Sequence, residues 1–342
     1  MPMFTLDEKL ARIRAGKYTR ADFIIADAKD GDMGPSMTAT GPKRARDGSF
    51  TRHHTRPEFL QNIRAIIDQA IVDIMLVSAS NLEALHEAGA FRNSAVKPAI
   101  RANDTTDIWV MRGAGYSKLP SRPFRSANLA RVMHGGLEAN PNATVTGTDL
   151  GLYSITFNND LDRDYASLEA FSAFREDAAR NGFKYFLEVF NPNVGTGIDP
   201  EQLPFYVNDC MMRCLAGVTK ADRPQFLKIP FNGAKALDEL ASYDPSVIVG
   251  ILGGGAGTTR DCFELLNQGE KYGARVALFG RKINLAEDPL AMVSFMREVA
   301  GGNIAPAEAV KAYHASLAKN GIKPLRDLAS DNEITEKVLK GA

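Results

Sequence analysis

The sequence predicts a (β/α)8 TIM barrel with a C-terminal helical extension. Short β-branched or aromatic runs alternate with longer segments of helical period, the pattern of βα units around a parallel sheet, and eight such runs can be counted. The 342 residues accommodate one domain, 1–342, with 301–342 as the extension. A doubly wound open sheet is the alternative that the same alternation allows.

The strands are expected at 23–28 (FIIADA), 72–78 (VDIMLVS), 97–103 (KPAIRAN), 150–157 (LGLYSITF), 183–190 (FKYFLEVF), 225–231 (QFLKIPF), 247–252 (VIVGIL) and 275–279 (RVALF). Helices between them include 57–70, where Leu60, Ile63 and Ile67 share a face, and 165–180, where Leu168, Phe171 and Phe174 do. The third unit departs from this regularity: residues 103–150 are punctuated by Pro and Gly and suit an extra hairpin or helix in place of one clean helix. Two long stretches, 29–56 and 104–149, follow strand ends, which in a barrel is where loops build the active-site face. They are therefore read as lid or specificity material. The first carries Lys43, Arg44, Arg46, Arg52, His53, His54 and Arg56 against the single acid Asp47, which suits an anionic substrate. A solvated loop is the plainer explanation. Beyond the barrel, 310–317 and 333–339 are expected to be helical.

The 41 basic and 41 acidic side chains balance, so net charge directs the chain neither to nucleic acid nor to a membrane surface. No apolar run reaches the roughly 18 residues of a membrane helix, and the N-terminus lacks the apolar core of a signal peptide, which makes the cytoplasm the expected location. Three cysteines, two of them one helical turn apart at Cys210 and Cys214, argue against a disulfide framework. The five histidines are scattered, and neither a metal nor another cofactor is expected. Self-association into a homo-oligomer is left open.

One lysine sits in an otherwise apolar strand, QFLKIPF. Side chains alternate across a strand, so Phe226, Lys228 and Pro230 share the face assigned to the barrel interior. Burial among apolar groups lowers a lysine's pKa from about 10.4, which activates an amine nucleophile. A structural ion pair, or an amine snorkelling to water, is the competing explanation. In the preceding strand the same alternation puts Glu188 inward with Phe186 and Phe190. An amine beside a carboxylate can move the protons of carbinolamine formation and dehydration. The first strand is read with Phe23, Ile25 and Asp27 inward, giving a third ionisable group where barrels normally place apolar side chains.

The last two units carry glycine loops, 253–261 (GGGAGTTRD) and 280–284 (GRKIN). Glycine lets backbone N–H groups approach an anion, and barrels often hold a phosphate between the loops after strands seven and eight. Thr258 suits the cap of the following helix, and Arg281 can add a charged fork. These placements make Gly254, Gly255, Gly280 and Arg281 candidates for binding an anionic group.

Taken together, FLEVF, FLKIPF, IIADAKDG and the glycine loop with Gly280-Arg281 resemble the class I aldolases of the DeoC/LacD type, which include tagatose-bisphosphate aldolase and sulfo-sugar aldolases. The resemblance runs from about residue 23 to 299. It implies Lys228 as the Schiff-base lysine, Glu188 as the catalytic glutamate, Asp27 as the first-strand aspartate followed by a basic residue at Lys29, and the glycine loop with Gly280 and Arg281 as the phosphate site. The chain departs in lacking an active-site lysine on strand four, where Tyr153 is the nearest polar substitute, and in its long first loop. The activity expected is that of a lyase, a class I aldolase acting on a small phosphorylated or similarly anionic carbonyl compound. A transaldolase, dehydratase or thiolase-like enzyme using the same iminium, or a barrel that only binds an anion, are the alternatives.

Overall fold

The computed structural model describes residues 4–45, 47–140, 142–254 and 257–340. Eight parallel strands close into a barrel: β1 (Ile24–Ala28), β2 (Ile74–Val77), β3 (Lys97–Arg101), β4 (Leu150–Thr156), β5 (Lys184–Phe190), β6 (Leu227–Ile229), β7 (Val249–Gly253) and β8 (Val276–Phe279). They follow one another in chain order around the wall. β1 closes it by pairing with β8 through Ile24↔Val276 and with β2 through Ala26↔Ile74. All eight predicted strands are present, and the open-sheet alternative is excluded.

A helix precedes the barrel, α1 (Thr5–Arg14), and others follow its strands: α2 (Arg56–Gln69), α3 (Ala79–Glu87), α4 (Leu129–His134), α5 (Leu161–Asn181), α6 (Leu203–Ala216), α7 (Ala234–Tyr243), α8 (Thr259–Lys271) and, after β8, the short α9 (Arg281–Asn284). The chain ends with α10 (Pro289–Ala300), α11 (Pro306–Lys319) and α12 (Leu328–Asp331). Sequence dictates these starts locally: at α2 the Thr55 hydroxyl accepts from the Glu58 N–H while the Glu58 carboxylate accepts from the Thr55 N–H, and Pro57 lies in the first turn.

Two apolar clusters separate inside from outside. The lumen cluster takes Ile24 and Ala26, Ile74 and Leu76, Ala99, Leu150 and Leu152, Phe186, Phe226, Ile248, and Val276 and Leu278 from the strands. Leu6 and Leu10 of α1 join it and plug the end where the strands begin. The second, larger cluster fills the layer between the strands and the helices, with Phe23, Ile25, Tyr153, Leu187, Leu227 and Phe279 on the strand side. This division fixes the orientation of every residue near a strand's C-terminal end, because faces alternate along a strand.

Both long loops contain hairpins. Pro42–Arg44 pairs with Phe50–His53 in the first, and Asp104–Thr105 with Pro123–Phe124 in the second, which then continues into α4. The expected helix at 310–317 is part of α11. That at 333–339 is reduced to one 3-10 turn, Lys337–Leu339, because the N–H groups of Thr335 and Glu336 are bound by the Asp261 carboxylate. Cys210, Cys214 and Cys262 are free thiols, the last two buried. Among the described residues, no helix is long and apolar enough to cross a membrane.

Candidate active site

Lys228 lies in the lumen above Phe226, at the middle of β6, and is 6% exposed. Its strand neighbour is Glu188 of β5, in register across the pair and 1% exposed. The amine Nζ is 2.6 Å from Glu188 Oε1. Two features of sequence put them there: apolar residues one position either side anchor each strand in the outer layer, and the stacked rings of Phe186 and Phe226 fill the lumen beneath, 4.6 Å between centroids. Both expectations for these residues agree with the structure in position.

Two further charged groups complete the cluster, and sequence reading had not singled them out. Arg101 follows Ala99 on the lumen face of β3. Its Nη2 lies 3.3 Å from Glu188 Oε2 and its Nε 2.5 Å from Asp30 Oδ2, while Nη1 donates to Ser154 Oγ at 2.8 Å. Ser154, on β4, donates in turn to Glu188 Oε2 at 2.6 Å. A fully buried hydroxyl and guanidinium thus hold one carboxylate oxygen of Glu188 while the other faces the lysine. Burial alone would raise the Asp30 carboxyl's pKa, but the charges of Arg101 and Lys228 outweigh it and hold the group below the usual carboxylate range. Burial acts to lower Arg101, and Asp30 and Glu188 more than reverse it, so the guanidinium stays protonated. Two cations and two carboxylates therefore balance in the lumen. The signal was available: Asp30 has the phase of Ala26 and Ala28, and Arg101 that of Ala99.

The first strand requires a correction. Asp27 shares its face with Phe23 and Ile25, as expected, but that face belongs to the outer layer, and the small Ala26 and Ala28 face the lumen. Asp27 pairs with Lys29 Nζ at 3.2 Å, both buried, outside the ring of strands. Neither carboxylate oxygen nor the ammonium has a well-formed hydrogen bond. Desolvation raises the Asp27 carboxyl to about 6, with Lys29 opposing it, and desolvation likewise lowers the Lys29 amine. Tyr153 is corrected in the same way: it faces outward and stacks on Phe174 at 4.3 Å, leaving Ser154 as the polar lumen residue of β4.

The glycine loops fit the expectation only in part. Gly254 is half-buried at the end of β7, and Gly255 lies outside the described residues. A Cβ at Gly280 would meet the Ala28 carbonyl oxygen at 2.3 Å, so close passage of β8 beside β1 requires glycine there whatever is bound. Thr258 caps α8, accepting from the Asp261 N–H. Arg281 is exposed and lines a cavity with Gly257, Thr259, Ala286 and Met292, the last two packed in the outer layer. Lys228 does not line this cavity. Among the described residues, no group of three or more His, Cys, Asp and Glu is placed to hold a metal ion.

The loop between β3 and β4 is fastened over the strand ends. Thr156 Oγ1 and Ser121 Oγ donate to the two oxygens of Asp107 at 2.6 and 2.9 Å. Asn193, just after β5, donates to the Ser117 and Leu119 carbonyls at 2.9 and 2.7 Å. These bonds tie the long loop to the ends of β4 and β5.

No family model matches the chain. No curated protein matches it by sequence. Solved structures do. An archaeal fructose 1,6-bisphosphate aldolase superposes with a TM-score of 0.58 at 16% identity, covering 87% of this chain and 99% of the other. The fructose-bisphosphate aldolase from Slackia heliotrinireducens gives 0.63 at 13% identity, covering 91% and 90%. A Corynebacterium glutamicum structure gives 0.58 at 16%, covering 87% and 98%. At these identities the likeness is one of fold.

Proposed function

We propose that the chain is a lyase of the class I aldolase type, acting on a small anionic carbonyl compound through a Schiff base on Lys228. The observation that carries the reading is the buried contact of Lys228 Nζ with Glu188 Oε1 at 2.6 Å, in a lumen also holding Arg101, Asp30 and Ser154. The fold shared with fructose-bisphosphate aldolases supports it.

In this mechanism a proton leaves Lys228 for Glu188, and the amine attacks the substrate carbonyl carbon to give a carbinolamine. Glu188 returns the proton to the departing hydroxyl, water leaves, and an iminium forms. A base then removes the proton of the hydroxyl on the carbon beyond the scissile bond. That bond breaks, an aldehyde is released, and the bonding electrons pass into the iminium as an enamine. Protonation of the enamine carbon and hydrolysis of the resulting iminium return the lysine. Ser154 and Arg101 hold one Glu188 oxygen throughout, so the other keeps its aim at the amine; Asp30 fixes Arg101 in turn. With its donors engaged by Asp30, Ser154 and Glu188, Arg101 is a positioning residue. The substrate's anionic group is assigned to backbone N–H groups of the β7 and β8 loops near Gly254, Gly255 and Gly280.

The test is borohydride reduction with a panel of phosphorylated and sulfonated ketoses and small aldehydes, read by mass. The expected result is the mass of the substrate minus oxygen on the peptide containing Lys228, together with loss of activity. An adduct on another lysine, or none with any carbonyl compound, rejects the mechanism. Product analysis on the trapped substrate separates aldol cleavage from dehydratase, transaldolase or thiolase-like use of the same iminium.

A further inference from the structure

The segment between β3 and β4 turns one sign of charge outward. From residue 106 to 136 its exposed charged side chains are Arg112, Lys118, Arg122, Arg125 and Arg131, and the one acid, Asp107, is taken up by Ser121 and Thr156. Apolar groups stand among these cations. Trp109 stacks on Tyr116 with ring centroids 4.7 Å apart and tilts against Phe124 at 5.6 Å, yet all three rings remain exposed, as do Val110 and Leu119, the latter 62% exposed. Single exposed apolar residues are ordinary, but aromatic rings grouped with arginines and free of acids have the composition of a protein–protein contact.

The next helix carries the opposite sign. On α5 the exposed acids Asp162, Glu169 and Glu176 recur at a spacing of two helical turns and so form one row along its outer side. Leu161, 84% exposed, and Tyr165, 62% exposed, stand at the head of that row. Of the cations of α5, Arg163 and Arg175 are half-buried and Arg180 lies in the last turn, at the far end. The two surfaces are neighbours. The short strand Pro123–Phe124 packs on α5, and Arg125 Nη2 lies 2.7 Å from Asp177 Oδ2. Asn158, just before α5, donates at 3.0 Å to Asn193 Oδ1, whose own amide holds the Ser117 and Leu119 carbonyls.

We propose that this face is where two copies of the chain associate about a two-fold axis, the basic aromatic loop of each lying on the acidic row of α5 of the other. The choice of a second copy rests on adjacency and charge. A two-fold axis between side-by-side surfaces brings each onto its complement, so both sets of exposed charges and both apolar groups are covered in one contact. A partner of another sequence would have to be acidic opposite the loop and basic opposite α5 at once, which a second copy already is. Asn193 and Asp107 hold the loop in place beforehand, so association has little ordering cost left to meet.

The experiment is sedimentation velocity of the full chain across the micromolar range, with the emission of Trp109, the sole tryptophan, recorded on the same samples. Dimers and a blue shift with rising concentration are expected, because association buries the ring. Arg112→Glu with Arg122→Glu, and separately Glu169→Lys with Glu176→Lys, set like charges against each other in both halves of the contact. Each pair should raise the dissociation constant roughly tenfold or more. An equimolar mixture of the two variants restores opposite charges in both halves and should recover the dimer, which a misfolded variant cannot do. A native chain that stays monomeric overturns the proposal and leaves the face to a different partner. So does an oligomer that ignores both charge reversals, or a pair of variants that mixing fails to rescue. None of these outcomes bears on borohydride trapping at Lys228.

Discussion

At the scale of single residues, charged groups in this protein fall into two kinds with opposite consequences. In the lumen, Lys228, Glu188, Arg101 and Asp30 neutralise one another through directed contacts. Lys228→Arg keeps the charge but cannot form an iminium, so turnover should fall by on the order of 10⁴-fold, measured as initial rate on the trapped substrate. Glu188→Gln should lower kcat by roughly 10²- to 10⁴-fold, measured as initial rate on the same substrate. Outside the wall, Asp27 and Lys29 are paired but otherwise poorly bonded. Lys29→Met alone should cost about 3–5 kcal/mol in urea unfolding, since it strands a buried carboxylate, whereas Asp27→Asn with Lys29→Met should recover most of the loss. The Asp27 carboxyl holds its proton to about pH 6 when folded and to about 3.9 when unfolded. Between those values the folded state binds more protons, so this group lowers stability as pH rises from about 4 to 6. Stability measured across that window should slope less steeply downward in Asp27→Asn than in the native chain.

At the scale of elements, strands were easy to read and their phase was not. Most barrel strands show a run of branched or aromatic residues, β3 being the exception, and in β5 and β6 a charge among apolar neighbours betrays the inward face. In β1 both faces are apolar, Phe23 and Ile25 against Ile24, Ala26 and Ala28. The face of Phe23, Ile25 and Asp27 is the one read as inward, yet the lumen takes Ile24 and Ala26. The same lack of contrast hid Arg101, whose strand carries charges at both ends, Lys97 and Arg101. The 3-10 turn at 337–339 depends on Asp261, distant in sequence, and no local pattern announces it. Asp261 caps α8 and accepts from the Thr335 N–H and hydroxyl and the Glu336 N–H. Asp261→Ala should therefore cost more than the roughly 1 kcal/mol of an ordinary cap. Proteolysis should then nick the chain near residues 333–336 first, and an unchanged digestion pattern would count against this role for the side chain.

At the scale of the whole molecule, the extension is bound to the barrel through α11 on α8 and α10, and through the Asp261 and Thr258 contacts. A single domain over 1–342 is the expected unit. Urea unfolding followed at Trp109, which sits on the β3–β4 loop, and by far-UV dichroism should then give coincident transitions; two resolved steps would define the extension or loop as separate units. The Leu6 and Leu10 plug has a kinetic meaning as well. The opposite end of the lumen is where the strands finish and where Asn193 and Asp107 tie down the β3–β4 loop. In the proposed mechanism substrate, expelled water and both cleavage fragments would pass this end. In that mechanism the fragment bonded to Lys228 leaves last, so it should compete with substrate for the free enzyme, whereas the aldehyde released first should inhibit in a mixed pattern, as the covalent order of release requires.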